Sequence, residues 1–351
     1  MGTAIVDVKQ FDAASRGFRM PGEFEPHAAT WMAWPCRDEL WGNLLDEVKT
    51  DFARLARAIA VYEPLNMLAR AQDTDEAQRS CGPGVRVVEC PLDDSWTRDS
   101  GPTFLVGRDG LLATAWTFNA WGGKYTPYDQ DAMIARRIAE SIDVPVVASE
   151  MVLEGGAIFS DGEGTLVTTM SCLLNPNRNP HLGPREIELE LKRVLGAEKI
   201  IWLPGDVTET ETDGHIDGLM AFASPGRIVV EVCADRSDPR YEILLENRRA
   251  LELAVDARGR RFELLGIEEA PRKADGGPRY CRSYVNYYCV NGAIIAPAYG
   301  ASSDFRVQAV LKSAYPDRDI VMLPIGAIAT GGGGFHCVTQ QQPVAPHAER
   351  L

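Results

Sequence analysis

An α/β fold built from recurring strand–junction–strand modules is predicted by three features of this sequence. An apolar strand runs repeatedly into a polar, glycine-containing segment followed by a second apolar strand. Amphipathic stretches with helical period lie between such units. No low-complexity segment or long linker interrupts the 351 residues, of which 45% are hydrophobic and 25% charged, ample for a core. Length alone permits two or three domains, or one large closed domain.

In chain order, the first clear helix is Asp46–Val61, with apolar residues at helical spacing. Val85–Cys90 then leads through Asp93–Gly101 into the strand Thr103–Val106. Asp129–Ile142 is a further helical candidate, after which Val144–Val147 leads through Leu153–Gly156 into Ala157–Phe159. Pro184–Leu195 is a helix that Pro184 is well placed to start. Lys199–Leu203 leads through Glu211–Asp217 into Leu219–Phe222. Tyr284–Tyr288 leads through Asn291 and Gly292 into Ala293–Pro297, and Ile320–Pro324 leads into Thr330–Cys337. Glu268–Pro278 reads as an exposed loop, and the tail after Pro343 as loosely held. The uneven intervals exclude a strict repeat. They fit modules ranged around an axis, with polar junctions converging at one end, and equally an α/β sheet with ordinary loops.

The net charge of −14 argues against nucleic acid as partner. It is compatible with drawing in a small cation and equally with mere solubility. Met1–Gln10 has no basic segment leading into an apolar one, and no run is long enough to cross a bilayer. A cytoplasmic protein without a membrane partner is therefore expected. The eight cysteines are scattered, several within apolar stretches such as Tyr288-Cys289-Val290, so reduced, buried thiols are expected. None of the five histidines pairs with a cysteine at zinc-finger spacing.

Four segments carry candidate chemistry. Cys337 follows the run Gly331–Gly334, which lets a ligand approach the main chain. It is either a nucleophile or a buried thiol beside a flexible loop. His215 and Asp217 are two apart, hence on one side of an extended segment; they form a proton-transfer pair or part of a solvated acidic loop. Trp96 and Asp99 offer a planar cation a ring and a carboxylate, unless Arg98 and Asp99 are only a surface ion pair. Glu154 leads into two glycines and by itself reads as a strand end. Taken together, one thiol, one imidazole and three carboxylates lie at comparable junctions. They suit a guanidinium gripped by carboxylates, attacked by a thiolate and relieved of ammonia by a histidine.

Several ordered motifs then make the sequence recognisable. They are Met20–Pro26, Trp31–Pro35, Trp96–Pro102, Phe118–Lys124, Glu154–Gly156, Thr212–Asp217 and Gly331–Pro343. Over nearly its whole length the chain resembles the agmatine deiminase branch of the bacterial peptidylarginine deiminase-like family, within the guanidino-modifying superfamily. The resemblance implies a five-unit α/β propeller (the pentein fold), with one domain over residues 1–351 and the site at its centre. It implies Cys337 as nucleophile and His215 as general acid and base. Asp99 and Asp217 would grip the guanidinium, and Glu154 would contact both guanidinium and His215. No metal or organic cofactor is implied. The expected substrate is a small cationic guanidine, agmatine in this branch, converted through a covalent thiouronium to N-carbamoylputrescine and ammonia.

Glu211 and Asp213, close in sequence to His215, are candidates for the distal amine of such a substrate. Trp96 and Gly334 are further candidate substrate contacts. Gly218, Gly334 and Phe335 depart from the branch, which commonly carries Asn, Asn and an aliphatic residue there. Deimination of arginine, C-terminal peptidyl arginine or another alkylguanidine is the alternative, with Arg98 or Arg282 available to a substrate carboxylate. A non-catalytic scaffold on the same fold is a second alternative. A metal-dependent ureohydrolase would need clustered Asp and His ligands that the sequence lacks. A homodimer is the expected assembly.

Overall fold

The computed structural model describes residues 5–6, 11–272, 277 and 279–345. Its strands, in chain order, begin with β1 (Ile5–Val6), β2 (Phe18–Arg19), β3 (His27–Ala33), β4 (Leu65–Ala69) and β5 (Val85–Glu89). There follow β6 (Thr103–Gly107), β7 (Gly110–Thr117), β8 (Val146–Val152), β9 (Ile158–Ser160), β10 (Thr165–Thr169) and β11 (Lys199–Leu203). The remainder are β12 (Met220–Ser224), β13 (Arg227–Val232), β14 (Glu263–Glu268), β15 (Tyr288–Val290), β16 (Ala293–Ala298), β17 (Asp319–Pro324) and β18 (Gln340–Pro343).

These strands form five sheets, and one motif recurs in each. Two strands pair antiparallel, a helical crossover follows, and a third strand pairs parallel with the second. The motif is built from β6, β7 and β8, from β9, β10 and β11, from β12, β13 and β14, and from β15, β16 and β17. In the last sheet the two ends of the chain meet: β18 pairs antiparallel with β3, which pairs parallel with β4. The strands β1, β2 and β5 extend their sheets at the edges.

The crossover helices form where apolar residues recur at helical spacing. In Leu45–Ile59 the buried stripe includes Val48, Phe52, Leu55, Ala56 and Ile59, so one face covers the sheet. Pro184–Leu195 coincides with its sequence-predicted range. Pro184 sits in its first turn, Glu186 accepts the Gly183 N–H, and Gly196 ends it at φ 70°. The Asp129–Ile142 candidate resolves into a 3-10 turn, Asp131–Met133, and a helix, Ile134–Ser141. The sequence reading did not include the helices Thr74–Cys81, Tyr241–Leu253 and Ser303–Ala314.

One expected strand is a junction instead. Over Tyr284–Tyr288 only Tyr288 is in β15. The preceding aromatics are buried singly: Tyr284 Oη donates to Asp304 Oδ1 at 2.5 Å, and the Tyr287 and Tyr315 hydroxyls lie 2.8 Å apart. An aromatic run satisfies a strand pattern without forming a ladder. In the expected loop Glu268–Pro278, Glu268 closes β14 and Pro271 and Arg272 are exposed, while residues 273–276 and 278 lie outside the described residues. Up to residue 345 the tail is paired through β18, and the Val344 N–H donates to the Pro26 carbonyl at 2.9 Å. Residues 346–351, and most of Met1–Gln10, lie outside the described residues. All eight cysteines are free; Cys233 and Cys281 are only half-buried, the others buried. Among the described residues no helix is long and apolar enough to cross a membrane.

Candidate active site

In every unit, the segment just before the first strand delivers a polar side chain. Asp99 lies in the short helix Thr97–Ser100 ahead of β6, and Glu154 lies between β8 and β9. His215 and Asp217 precede β12, Asn286 precedes β15, and His336 and Cys337 precede β18. All are buried.

Gly156 marks where they meet. A β-carbon there would fall 2.6 Å from His215 Nδ1, 2.8 Å from Asp99 Oδ1 and 3.0 Å from Asp217 Oδ2. Only glycine lets these groups close around the backbone. The Gly156 N–H donates to Asp99 Oδ1 at 2.9 Å, and Trp121 Nε1 donates to Asp99 Oδ2 at 2.8 Å, which fixes that carboxylate. The His215 ring lies 3.8 Å from Asp99 through Nδ1 and 3.5 Å from Glu154 through Nε2. Glu154 Oε1 accepts from Arg178 Nε at 2.7 Å. The Cys337 sulfur lies 3.5 Å from Asp217 Oδ2 and 3.4 Å from Asn286 Oδ1. Asn286 Oδ1 also accepts from the backbone N–H groups of His336 and Cys337, at 3.1 and 3.3 Å, and so holds the turn that carries Cys337.

The electrostatics follow from three buried carboxylates in one place. Burial pushes the Cys337 thiol well above the ordinary range, and Asp217 and Asp99 push it further, so the free protein holds a thiol. Burial works against charge on His215, but Asp99, the Cys172 sulfur and Glu154 hold its pKa well above that of a free imidazole. Burial raises Asp99, as do Asp217 and Glu154, while His215 opposes them. Glu154 stays below the usual carboxylate range despite burial, through His215 and Arg178. Asp217 does so through His336. The result is a charged imidazole, an uncharged thiol and carboxylates able to receive a cation.

A cavity of about 650 Å³ opens onto Cys337, His215 and Asp217, and Glu211, Glu231 and Arg240 also line it. A smaller hollow that shares Cys337 and Glu211 with it is lined also by Trp96, Asp99, Trp121 and Tyr125. Close packing sets this wall: a β-carbon on Gly333 would fall 2.5 Å from the Trp96 ring and 3.1 Å from the Cys337 sulfur.

Of the sequence-predicted residues, Cys337, His215, Asp99, Glu154 and Asp217 are brought together, with Trp96 and Glu211 in the walls beside them. Asp213 and Gly334 line neither hollow. The chain turns at Asp213 with φ 63°, and its Oδ2 accepts from Arg178 Nη1 at 2.5 Å, Lys124 Nζ at 2.7 Å and Asn177 Nδ2 at 3.0 Å. Three donors converge on that one oxygen, which makes Asp213 a prop for Arg178 outside the hollows rather than a wall for a substrate amine. Gly334 packs against Asn286, whose Oδ1 would be 2.5 Å from a β-carbon there. Gly218 does line the cavity and has open space beside it. Arg98 faces inward to Glu23 Oε1 at 2.9 Å, whereas Arg282 lines the cavity but is paired with Glu269.

Sequence reasoning missed Asn286, and it quoted Glu23 only as part of a motif. The signal for Asn286 was positional, since it occupies the place before β15 that the other polar groups occupy in their units. Among the described residues, Glu154, Cys172 and His215 have ligand atoms within 4.8 Å of one another, the donor set of a metal site. Arg178 already supplies Glu154 with a cation.

The chain is similar to known proteins over nearly its whole length. The sequence pattern of Porphyromonas-type peptidyl-arginine deiminases matches residues 19–343. An agmatine deiminase of Pseudomonas aeruginosa is 41% identical over 352 residues, covering 93% of this chain and 96% of that protein. The solved agmatine deiminase of Enterococcus faecalis superposes with a TM-score of 0.93 at 32% identity, over 97% of this chain and 100% of its own. A cysteine-to-serine variant of C. jejuni agmatine deiminase with substrate bound superposes at 0.85 with 27% identity, over 94% of this chain and 97% of its own.

Proposed function

The chain belongs to the Porphyromonas-type peptidyl-arginine deiminase family, and from that premise we propose that it hydrolyses agmatine to N-carbamoylputrescine and ammonia. The observation that carries this reading is the closure of Asp99, Asp217 and His215 around Gly156, with the Cys337 sulfur 3.5 Å from Asp217. Two carboxylates there receive a planar cation on either side of its central carbon.

Docking of the guanidinium offsets the negative charge that keeps Cys337 protonated, and the thiol gives up its proton to solvent in the adjoining cavity. The thiolate attacks the guanidinium carbon. Protonated His215 passes its proton to the departing nitrogen, which leaves as ammonia, and a thiouronium remains on sulfur. Neutral His215 then takes a proton from water. The hydroxide adds to the same carbon, the C–S bond breaks, and the added hydroxyl gives its proton to the departing sulfur, which releases the neutral ureido product and restores the thiol.

Glu211 in the wall of both hollows is the acid best placed for the distal ammonium of agmatine. For a substrate carboxylate, the cavity-lining Arg282 is already paired with Glu269, whereas Arg279 in the same wall bonds the Tyr125 hydroxyl, so arginine is the substrate to compare. The five sheets, each with the same motif and a polar junction, are read here as five units of one closed ring and one domain. A cytoplasmic homodimer completes the proposal, and sedimentation tests the assembly. The test of substrate is a comparison of kcat/KM for agmatine and arginine in the presence of EDTA. Much faster turnover of agmatine is expected; equal or faster turnover of arginine overturns the assignment.

A further inference from the structure

Behind Asp217 lies a chain of buried groups that takes no direct part in the chemistry above. His336 Nδ1 is 2.8 Å from Asp217 Oδ2, the oxygen that also faces the Cys337 thiol. On the other side of the ring, His336 Nε2 is 3.0 and 2.9 Å from the two oxygens of Glu23. Glu23 Oε1 in turn accepts from Arg98 Nη1 at 2.9 Å. The ring stacks on Phe159 at 5.1 Å, which fixes its plane. The four side chains come from separate parts of the chain, and each is at most 5% exposed.

Both ring nitrogens of His336 face carboxylates, which accept and do not donate. Both nitrogens must therefore carry hydrogen, and the ring is an imidazolium. Along the row Asp217, His336, Glu23 and Arg98 the charges alternate. Without such a row Asp217 would be unstable as an anion, being buried beside the carboxylate of Asp99. The other groups facing it are His215, Cys337 and Arg98. Glu23 is faced in addition by His27, whose Nε2 lies 2.9 Å from the Glu23 carbonyl oxygen.

We propose that His336 and Glu23 form a buried charge relay that holds Asp217 ionised and aimed at the guanidinium, making them positioning residues for the reaction. The inference rests on the deimination reading and names what orients one of its carboxylates. His336 does not touch the reacting atoms. Its ring keeps the oxygen beside the thiol from taking up a proton.

The test compares wild type with His336→Gln and Glu23→Gln, following kcat/KM for agmatine against pH. Loss of the imidazolium raises the Asp217 pKa, so the acid limb moves to higher pH. A shift of about one unit or more is expected for His336→Gln, and a smaller shift in the same direction for Glu23→Gln. KM should rise about tenfold while kcat changes less. An acid limb that stays in place in both folded variants overturns the relay and leaves His336 as packing. A second measurement requires neither activity nor a variant enzyme that folds well. In wild-type protein labelled with ¹⁵N-histidine, His336 should remain an imidazolium above about pH 6.5, the ordinary histidine value. A neutral His336 ring at neutral pH overturns the proposal. If wild type turns over no guanidine, the deimination reading falls by itself, and the NMR result still decides whether the relay exists.

Discussion

The carboxylate of Asp217 stands 3.5 Å from the sulfur of Cys337, so this thiol of the free protein faces a negative charge. Burial and that charge together place its pKa well above 9.0. A thiol with a raised pKa is alkylated slowly at neutral pH and faster as pH rises. Reaction of Cys337 with iodoacetamide should therefore still be accelerating above pH 9.0, as read by mass spectrometry of the modified peptide. A rate that levels off near neutral pH would mean a preformed thiolate and would remove the need for substrate to activate the sulfur.

Gly156 is the point through which three junctions touch. In Gly156→Ala the added methyl would lie 2.6 Å from His215 Nδ1 and 2.8 Å from Asp99 Oδ1. Overpacking of this kind costs about 1–3 kcal/mol. Because the displaced groups are those proposed to hold the cation and carry the proton, kcat/KM should fall much further than that stability loss accounts for. Thermal melts and steady-state rates on the same sample check this. Full activity in the folded variant would contradict the placement of the site.

Much of this was legible in the sequence, because the chemistry sits in short segments with unusual residue types. Cys337 after its glycines, the His215–Asp217 pair and Asp99 beside Trp96 all lie at the junctions that the alternation of apolar and polar segments marked out. Pro184–Leu195 was legible because its stop and start residues are local. Asn286 was not, since an uncharged residue inside Tyr284–Tyr288 is masked by its aromatic neighbours, and only the register of β15 reveals its place. Asp213 was misleading for the opposite reason. Two residues from His215, it is turned to the far side by a left-handed backbone and neutralised by Arg178 and Lys124. The meeting of the chain ends in β18 and β3 was equally out of reach, because such pairing leaves no local signal.

Glu211 and Asp213 should consequently respond differently to substitution. Glu211 lines both hollows, and its Oε2 is held at 2.5 Å by the Tyr125 hydroxyl. Glu211→Gln should raise KM for agmatine by about tenfold with little change in kcat, the signature of binding used equally in ground and transition states. Asp213→Asn should instead lower stability by about 1–3 kcal/mol by loosening the buried Arg178. Steady-state kinetics and urea unfolding on both variants separate the two roles. An unchanged KM in Glu211→Gln would exclude Glu211 as the amine partner.

Stability at low pH should depend on Glu23. Burial alone would raise this carboxyl, but Arg98 and His336 lower it from 4.5 to about 2. A depressed carboxylate contributes stability that is present above its unfolded value and lost as pH falls through its folded value. The window is therefore from 4.5 down to about 2. Near neutral pH, Glu23→Gln should be less stable than wild type by about 3 kcal/mol, since it leaves Arg98 and His336 short of a counter-charge. That difference should shrink across the window in urea titrations. A difference independent of pH would contradict the ionised state of Glu23.

The most direct test of the whole account is the turnover of agmatine by wild type and by Cys337→Ala, with ammonia and ureido product measured together. Wild type should release the two in equal amounts, and the folded variant should release neither. Continued turnover by Cys337→Ala would contradict the assignment of Cys337 as the nucleophile, and with it the site built around Gly156.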